Sequence, residues 1–170
     1  MDLLDVVRRQ GLRDWAVGAG FVRAAVWDAL SGVREPTPLA DIDVIYFDPA
    51  NAGPGRDRAV ERALARARPG VPWSVKNQAR MHRHNRDRPY ACTADALARW
   101  LETPTCVAVR LEADGRLTLL APLGLADLFA MRVRPTPAAR RNMPVFRNRA
   151  AAKAWHRAWP RLRRHPAPVN

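Results

Sequence analysis

Polar and apolar positions first alternate cleanly at Asp41-Ile42-Asp43-Val44-Ile45-Tyr46-Phe47, a β-branched and aromatic run closed by Asp48-Pro49, which predicts a strand. Upstream, Leu3, Leu4, Val6 and Val7 behind Asp2 predict a short capped helix that stops at Gly11. Trp15-Ala16-Val17, Gly18-Ala19-Gly20 and the helically spaced apolar residues from Phe21 to Leu30 read as strand, glycine turn and helix. After the strand at 41–47, a loop rich in Gly and Pro leads into a charged helix over Arg56 to Arg68, ended by Pro69-Gly70. Trp73-Ser74-Val75 is a further strand, and Thr93 to Glu102 reads as a helix with Thr93 at its N-cap. Thr105 to Leu111 and Leu117 to Leu120 form a hairpin about Asp114-Gly115. Gly124 to Met131 reads as a short helix and Asn148 to Trp159 as a longer one, with Trp155 and Trp159 four apart on one face. The residues from Arg161 onward, basic and rich in proline, are expected to fray. Strands mixed with helices predict an α/β or α+β domain.

The length of 170 residues suits one domain, here residues 1–162, followed by a basic Pro-containing tail over 163–170. With 29 Lys and Arg against 16 Asp and Glu, the chain carries +13, which favours phosphate-bearing partners. Lys76 and Lys153 are the only lysines, and the abundance of Arg, Ala and Pro has the character of a genome-wide bias. The placement of charge therefore matters more than its total. Acids are absent after Asp127, whereas Arg140, Arg141, Arg147, Arg149, Lys153, Arg157, Arg161, Arg163 and Arg164 follow it. This fits a polyanionic partner such as RNA or a solvated face. No apolar run approaches the roughly 20 residues of a bilayer span, and the N-terminus lacks the pattern of a signal peptide, so a cytoplasmic protein without a membrane partner is expected. Cys92 and Cys106 lie far apart and read as packing thiols.

Two constellations carry candidate chemistry. Gly18-Ala19-Gly20 stands between strand and helix, where backbone N–H groups and the helix dipole can meet an anion; a tight turn alone also explains it. Asp41 and Asp43 share a strand face, where a hard cation such as Mg²⁺ would relieve their repulsion; alternatively Asp41 caps a loop and Asp43 pairs with an arginine. Lys76, Asn77, Gln78, Arg80 and His82 form a polar string without acids. Lys76 and Arg80 could hold phosphate and Asn77 or Gln78 a base edge, or the string could anchor the strand end. His82 could serve as a base or touch the acceptor, or make a structural hydrogen bond. Arg23, three residues beyond Gly20, could reach a phosphate or pair with Asp28 or Asp43.

A glycine turn entering a helix, followed by D-x-D on the next strand, resembles the DNA polymerase beta-like nucleotidyltransferase superfamily. The blocks WAVGAGFVRAAVWD, DIDVIYFD, WSVKNQARMH, Pro89-Tyr90, APLGLADLF, RPTP and KAWHRAWPRL are similar to a bacterial family of small stand-alone proteins of that kind, over most of residues 15 to 162. The resemblance implies a nucleotidyltransferase fold, a mixed β-sheet flanked by helices. It also implies a Mg²⁺-dependent (or Mn²⁺-dependent) enzyme that moves a nucleoside monophosphate from an NTP to a hydroxyl acceptor such as RNA. Asp41 and Asp43 would take the superfamily's first two carboxylates, and Gly18, Ala19 and Gly20 its phosphate turn. The chain departs from the pattern in three places. The interval from turn to dyad is long, Trp73 to Gln78 offers no third carboxylate, and Ala126 stands where a second acid would accompany Asp127. Glu112 is the available substitute for the third ligand. A fold of this kind without that ligand would instead act as a nucleotide- or RNA-binding module.

Overall fold

The computed structural model describes residues 2–164. Five strands form its main sheet: β1 (Ala16–Gly18), β2 (Ile42–Tyr46), β3 (Trp73–Asn77), β4 (Ala108–Leu111) and β5 (Leu117–Leu120), in the order β3-β2-β1-β4-β5. β1 runs antiparallel to both β2 and β4, β2 and β3 are parallel, and β5 returns antiparallel to β4. The mixed sheet flanked by helices agrees with the α/β (α+β) expectation. Among the described residues, no helix is long and apolar enough to cross a membrane.

Alternation along the strands sorts the two faces of the sheet. Val17, Ile42, Val44, Tyr46, Trp73 and Val75 bury one face against Leu4 and Val7 of α1 (Asp2–Arg8) and Val60 and Leu64 of α3 (Pro54–Ala67). Ala16, Ile45 and Ala108 face the other way, onto Leu97, Cys106 and Trp100. The edge strand β3 is covered by α3. Glu61 Oε2 accepts the Val75 N–H at 3.1 Å, and the buried Asp57 carboxylate accepts the Asn77 N–H and the Tyr46 hydroxyl.

A separate core joins the two ends of the chain. Trp27 of α2 (Gly20–Ser31) meets Trp155 and Trp159 edge-on, at centroid distances of 5.8 and 5.1 Å. Trp27 Nε1 donates to the Leu128 carbonyl at 2.9 Å, in α6 (Ala126–Phe129), and Trp159 Nε1 donates to Asp28 at 2.8 Å. The packing of the two C-terminal tryptophans on one partner agrees with the sequence reading, although they do not share one helix. The helix expected over 148–159 instead begins earlier, as α7 (Met143–Lys153), because Asn142 caps it and Pro144 fits its first turn. It stops where Ala154 turns left-handed (φ 44), and a 3₁₀ turn, Trp155–Arg157, follows.

After the single turn α4 (Met81–His84), the helix expected over 93–102 is likewise shorter, α5 (Thr93–Leu97), with Cys92 rather than Thr93 at its N-cap. Thr93 is diverted to Asp14, whose carboxylate accepts its N–H and whose carbonyl accepts its hydroxyl. The chain then crosses the sheet face, held by Thr136, whose hydroxyl donates to Trp100 O and whose N–H donates to Leu101 O. Arg163 N–H donates to Met131 O at 2.8 Å, and β7 (Arg163–Arg164) pairs in parallel with β6 (Arg132–Val133). Fraying from Arg161 is therefore not observed up to residue 164. Residues 165–170 of the expected tail lie outside the described residues.

Candidate nucleotide site

Gly18 ends β1 opposite Asp43 on one side and Ala108 on the other. A Cβ built on it would lie 3.3 Å from Trp100 Cη2, 3.6 Å from Ile45 Cδ1 and 3.7 Å from Ala108 Cβ. A side chain here would press on the tip of Trp100, which would have to give by a few tenths of an ångström. The positive φ of the turn falls on Ala19 (φ 47, ψ −113), a strained conformation for a residue with a Cβ, at a cost on the order of 1–3 kcal/mol. Its N–H donates to Val107 O and its carbonyl accepts the Arg23 N–H, both at 2.9 Å. α2 then opens with no side-chain cap and no acid in its first turn, which leaves its leading N–H groups available to an anion.

Beside this turn stands the aspartate dyad. Asp41 is exposed just before β2, while Asp43 lies within β2, in register with Gly18 and Ser74. Burial and the neighbouring Asp41 push the Asp43 carboxyl above the usual range, against the Ser74 hydroxyl and the charges of Lys153 and Arg149. The last two come from α7, so the C-terminal part of the chain supplies positive charge to a dyad near its beginning.

Arg23 projects from the first turn of α2 into the same place. Its Nη2 lies 3.7 Å from where a Cβ on Gly20 would stand. The guanidinium is 4.4 Å from the centroid of Trp155 and 5.4 Å from that of Trp27, and its buried Nε has no hydrogen-bond partner among the described residues. Burial pushes its pKa down to about 10, against the opposing influence of Glu102, Asp41 and Asp43. Pairing of Arg23 with Asp28 does not occur, since Asp28 accepts from Thr37 and Trp159.

The polar string divides. Lys76 is exposed on the sheet face that carries Asp43 and Ile45. The rest runs away from the dyad, because parallel pairing sets Ser74 beside Asp43 but Asn77 beside Tyr46, about 10 Å further along. Asn77, expected to read a base edge, is fully buried. Its side chain donates to Asp48 O and Asn51 O and accepts from the N–H groups of Asp48 and Ala79. Gln78 is buried and donates to Lys76 O, and Arg80 is ion-paired with buried Asp57. His82 packs edge-on against Tyr90 at 5.9 Å, on the same far side.

Glu112 is also remote. Antiparallel pairing places Ala108 beside Gly18, so Glu112 lies about 13 Å further along, where it is ion-paired with Arg110 at 2.8 Å. Asp127 is taken by Thr103 and Arg134. Among the described residues no group of three or more His, Cys, Asp or Glu is placed to hold a metal. The dyad is still a suitable donor set for Mg²⁺, which binds through one or two carboxylates and completes its shell with phosphate oxygens and water.

Sequence reasoning missed Glu102, only 1% exposed, whose Oε1 lies 3.0 Å from Arg149 Nε. A lone acid in the stretch Leu101 to Thr105 has no periodic signature; only the tertiary path of that segment brings it here.

A sequence model of a family described as nucleotidyltransferase matches residues 5–164. An NMR structure described as revealing a CCA-adding enzyme head domain is 33% identical, with TM-score 0.87, and the match covers 98% of this chain and 89% of that one. A tRNA nucleotidyltransferase complexed with a primer tRNA and an incoming ATP analog is 20% identical with TM-score 0.59, over 96% of this chain and 46% of that one. The Thermotoga maritima CCA-adding enzyme, complexed with tRNA, is 17% identical with TM-score 0.58, over 97% and 38%. These last two share the fold, and the chain spans less than half of either. No curated protein matches the chain significantly.

Proposed function

The chain belongs to the nucleotidyltransferase family, and from that premise we propose that it moves a nucleoside monophosphate from an NTP to a hydroxyl on an RNA acceptor, with Mg²⁺ or Mn²⁺. The observation that carries this reading is the register that sets Gly18 beside Asp43, joining the uncapped start of α2 to the aspartate dyad. Asp41 and Asp43 would hold the cation, which when bound neutralises triphosphate charge. The N–H groups of Gly20 and its successors, with Arg23 and Lys76, receive phosphate oxygens; Arg149 and Lys153 add charge from α7. The acceptor oxygen bonds to the α-phosphorus as the bond to the bridging oxygen breaks. Pyrophosphate leaves and the hydroxyl proton passes to solvent. Such transfer rests on positioning and charge stabilisation more than on a dedicated base, consistent with His82 lying elsewhere. A cytoplasmic setting, where NTP and RNA meet, suits this chemistry, with residues 1–162 as the transferase domain and Arg163–Arg164 joined to it through β7 rather than belonging to a separate tail.

The two-carboxylate site also gives footing to a second reading, a nucleotide- or RNA-binding module without turnover. Incubation with each α-³²P-labelled NTP and Mg²⁺ or Mn²⁺, with and without cellular RNA, separates the two. Transfer by the wild type that drops at least about 100-fold in Asp41→Asn/Asp43→Asn supports the enzyme. Equal transfer by both proteins removes the dyad from the reaction, and binding without transfer supports the module.

A further inference from the structure

Glu102 is a buried carboxylate for which the dyad and the phosphate turn have no use. Its backbone bridges to Pro135, and its carbonyl accepts from the Thr105 N–H at 3.0 Å and the Thr105 hydroxyl at 2.7 Å. That hydroxyl also lies 3.3 Å from Oε2. The other oxygen, Oε1, has only the charge of Arg149 at 3.0 Å, without an aligned hydrogen bond. A buried carboxylate needs compensating charge, and two cations from distant parts of the chain supply it here. Arg149 comes from α7, and Arg23 from α2 lies in the field of Glu102. Arg23 also stands at the phosphate turn, its Nη2 3.7 Å from where a Cβ on Gly20 would lie, and its guanidinium is 4.4 Å from the ring centroid of Trp155, just past the end of α7. The two guanidinium groups repel one another.

We propose that Glu102 is a positioning residue: its carboxylate offsets the repulsion between Arg23 and Arg149 and so holds both beside the phosphate turn as ligands for the NTP triphosphate. This rests on the nucleotidyl-transfer reading. Arg149 keeps 46% of its side chain exposed and is therefore within reach of an incoming phosphate, while Arg23 keeps an unpartnered Nε.

The test uses the full chain and three variants, Glu102→Gln, Arg149→Met and their combination, with melting temperature as a control for folding. NTP affinity is measured in Mg²⁺, transfer kinetics are followed, and tripolyphosphate serves as a competing probe that has no base. Glu102→Gln is expected to raise KM and weaken tripolyphosphate by the same factor, about tenfold, with kcat little changed. The double variant should be no worse than the poorer single one, because both act through one contact. Wild-type KM and tripolyphosphate affinity in a folded Glu102→Gln overturn the proposal while leaving the transferase reading intact. Fully additive losses also overturn it. If Glu102→Gln does not fold, Arg149→Met decides: unchanged tripolyphosphate affinity there overturns the proposal. A wild type that binds neither NTP nor tripolyphosphate overturns the transferase reading itself, and this inference with it.

Discussion

Asp43 sits where burial and a neighbouring carboxylate both oppose its charge, so its carboxyl holds a proton at higher pH than the ordinary value of 3.8. The sign of the linkage follows. Between the ordinary and the raised pKa the native state binds more proton than the unfolded chain, so stability falls as pH rises through that window and the deficit persists above it. Asp43→Asn removes the deficit. The variant is expected to melt a few degrees higher than wild type near neutral pH, with the gain vanishing below the ordinary carboxylate range. If the dyad holds the cation as proposed, Mg²⁺ with NTP should raise the melting temperature of the wild type, and the same substitution should abolish that rise. Thermal melts across pH, with and without Mg²⁺ and NTP, check both; a variant less stable than wild type at neutral pH would contradict the account of Asp43. The strain at Ala19 and the charge at Asp43 thus lie on either side of one register, at the place where a substrate would offset them.

Elements such as β2, β3 and the β4–β5 hairpin act on their neighbours through register, and this explains why the polar string after β3 does not reach the dyad. If Asn77 anchors the strand end, Asn77→Ala leaves the N–H groups of Asp48 and Ala79 and the carbonyls of Asp48 and Asn51 without their partner. A loss of about 3 kcal/mol in urea unfolding is expected, with the KM for NTP in folded protein unchanged. A raised KM without loss of stability would restore the base-reading role. The elements legible in the sequence were those whose signals are local. Alternation placed β2, Asp114-Gly115 placed the hairpin, and Gly18-Ala19-Gly20 with Asp41-Ile42-Asp43 marked the turn and the dyad. The lengths of α5 and α7 were not legible, because Thr93 is claimed by Asp14 across the fold and Ala154 takes a left-handed conformation no propensity announces. Glu102 and Arg149 were missed as partners for the same reason: nothing in their own stretches of sequence joins them.

Across the whole molecule the charge of +13 is unevenly placed, since every Asp and Glu lies at or before Asp127 while α7 and the residues around it are basic. Arg140, Arg147 and Arg157 are exposed there and lie outside the set that meets the dyad. A phosphate backbone held on this face would release counterions in proportion to its contacts, so RNA affinity should fall steeply with salt. Four contacts to single-stranded RNA give a slope of log K against log salt of about −3. Replacing Arg140, Arg147 and Arg157 together by Gln should make that slope shallower by about 2 units, with the KM for NTP unchanged. Titrations of RNA at several salt concentrations measure it. The genome-wide arginine bias makes the competing expectation equally definite: if the charge is only a solvated face, the triple variant keeps the wild-type slope. A shallower slope would mean that Arg147 of α7, with Arg140 before the helix and Arg157 after it, addresses the acceptor while Arg149 and Lys153 of the same helix lie in the field of Asp43, which is the arrangement that transfer between the two requires.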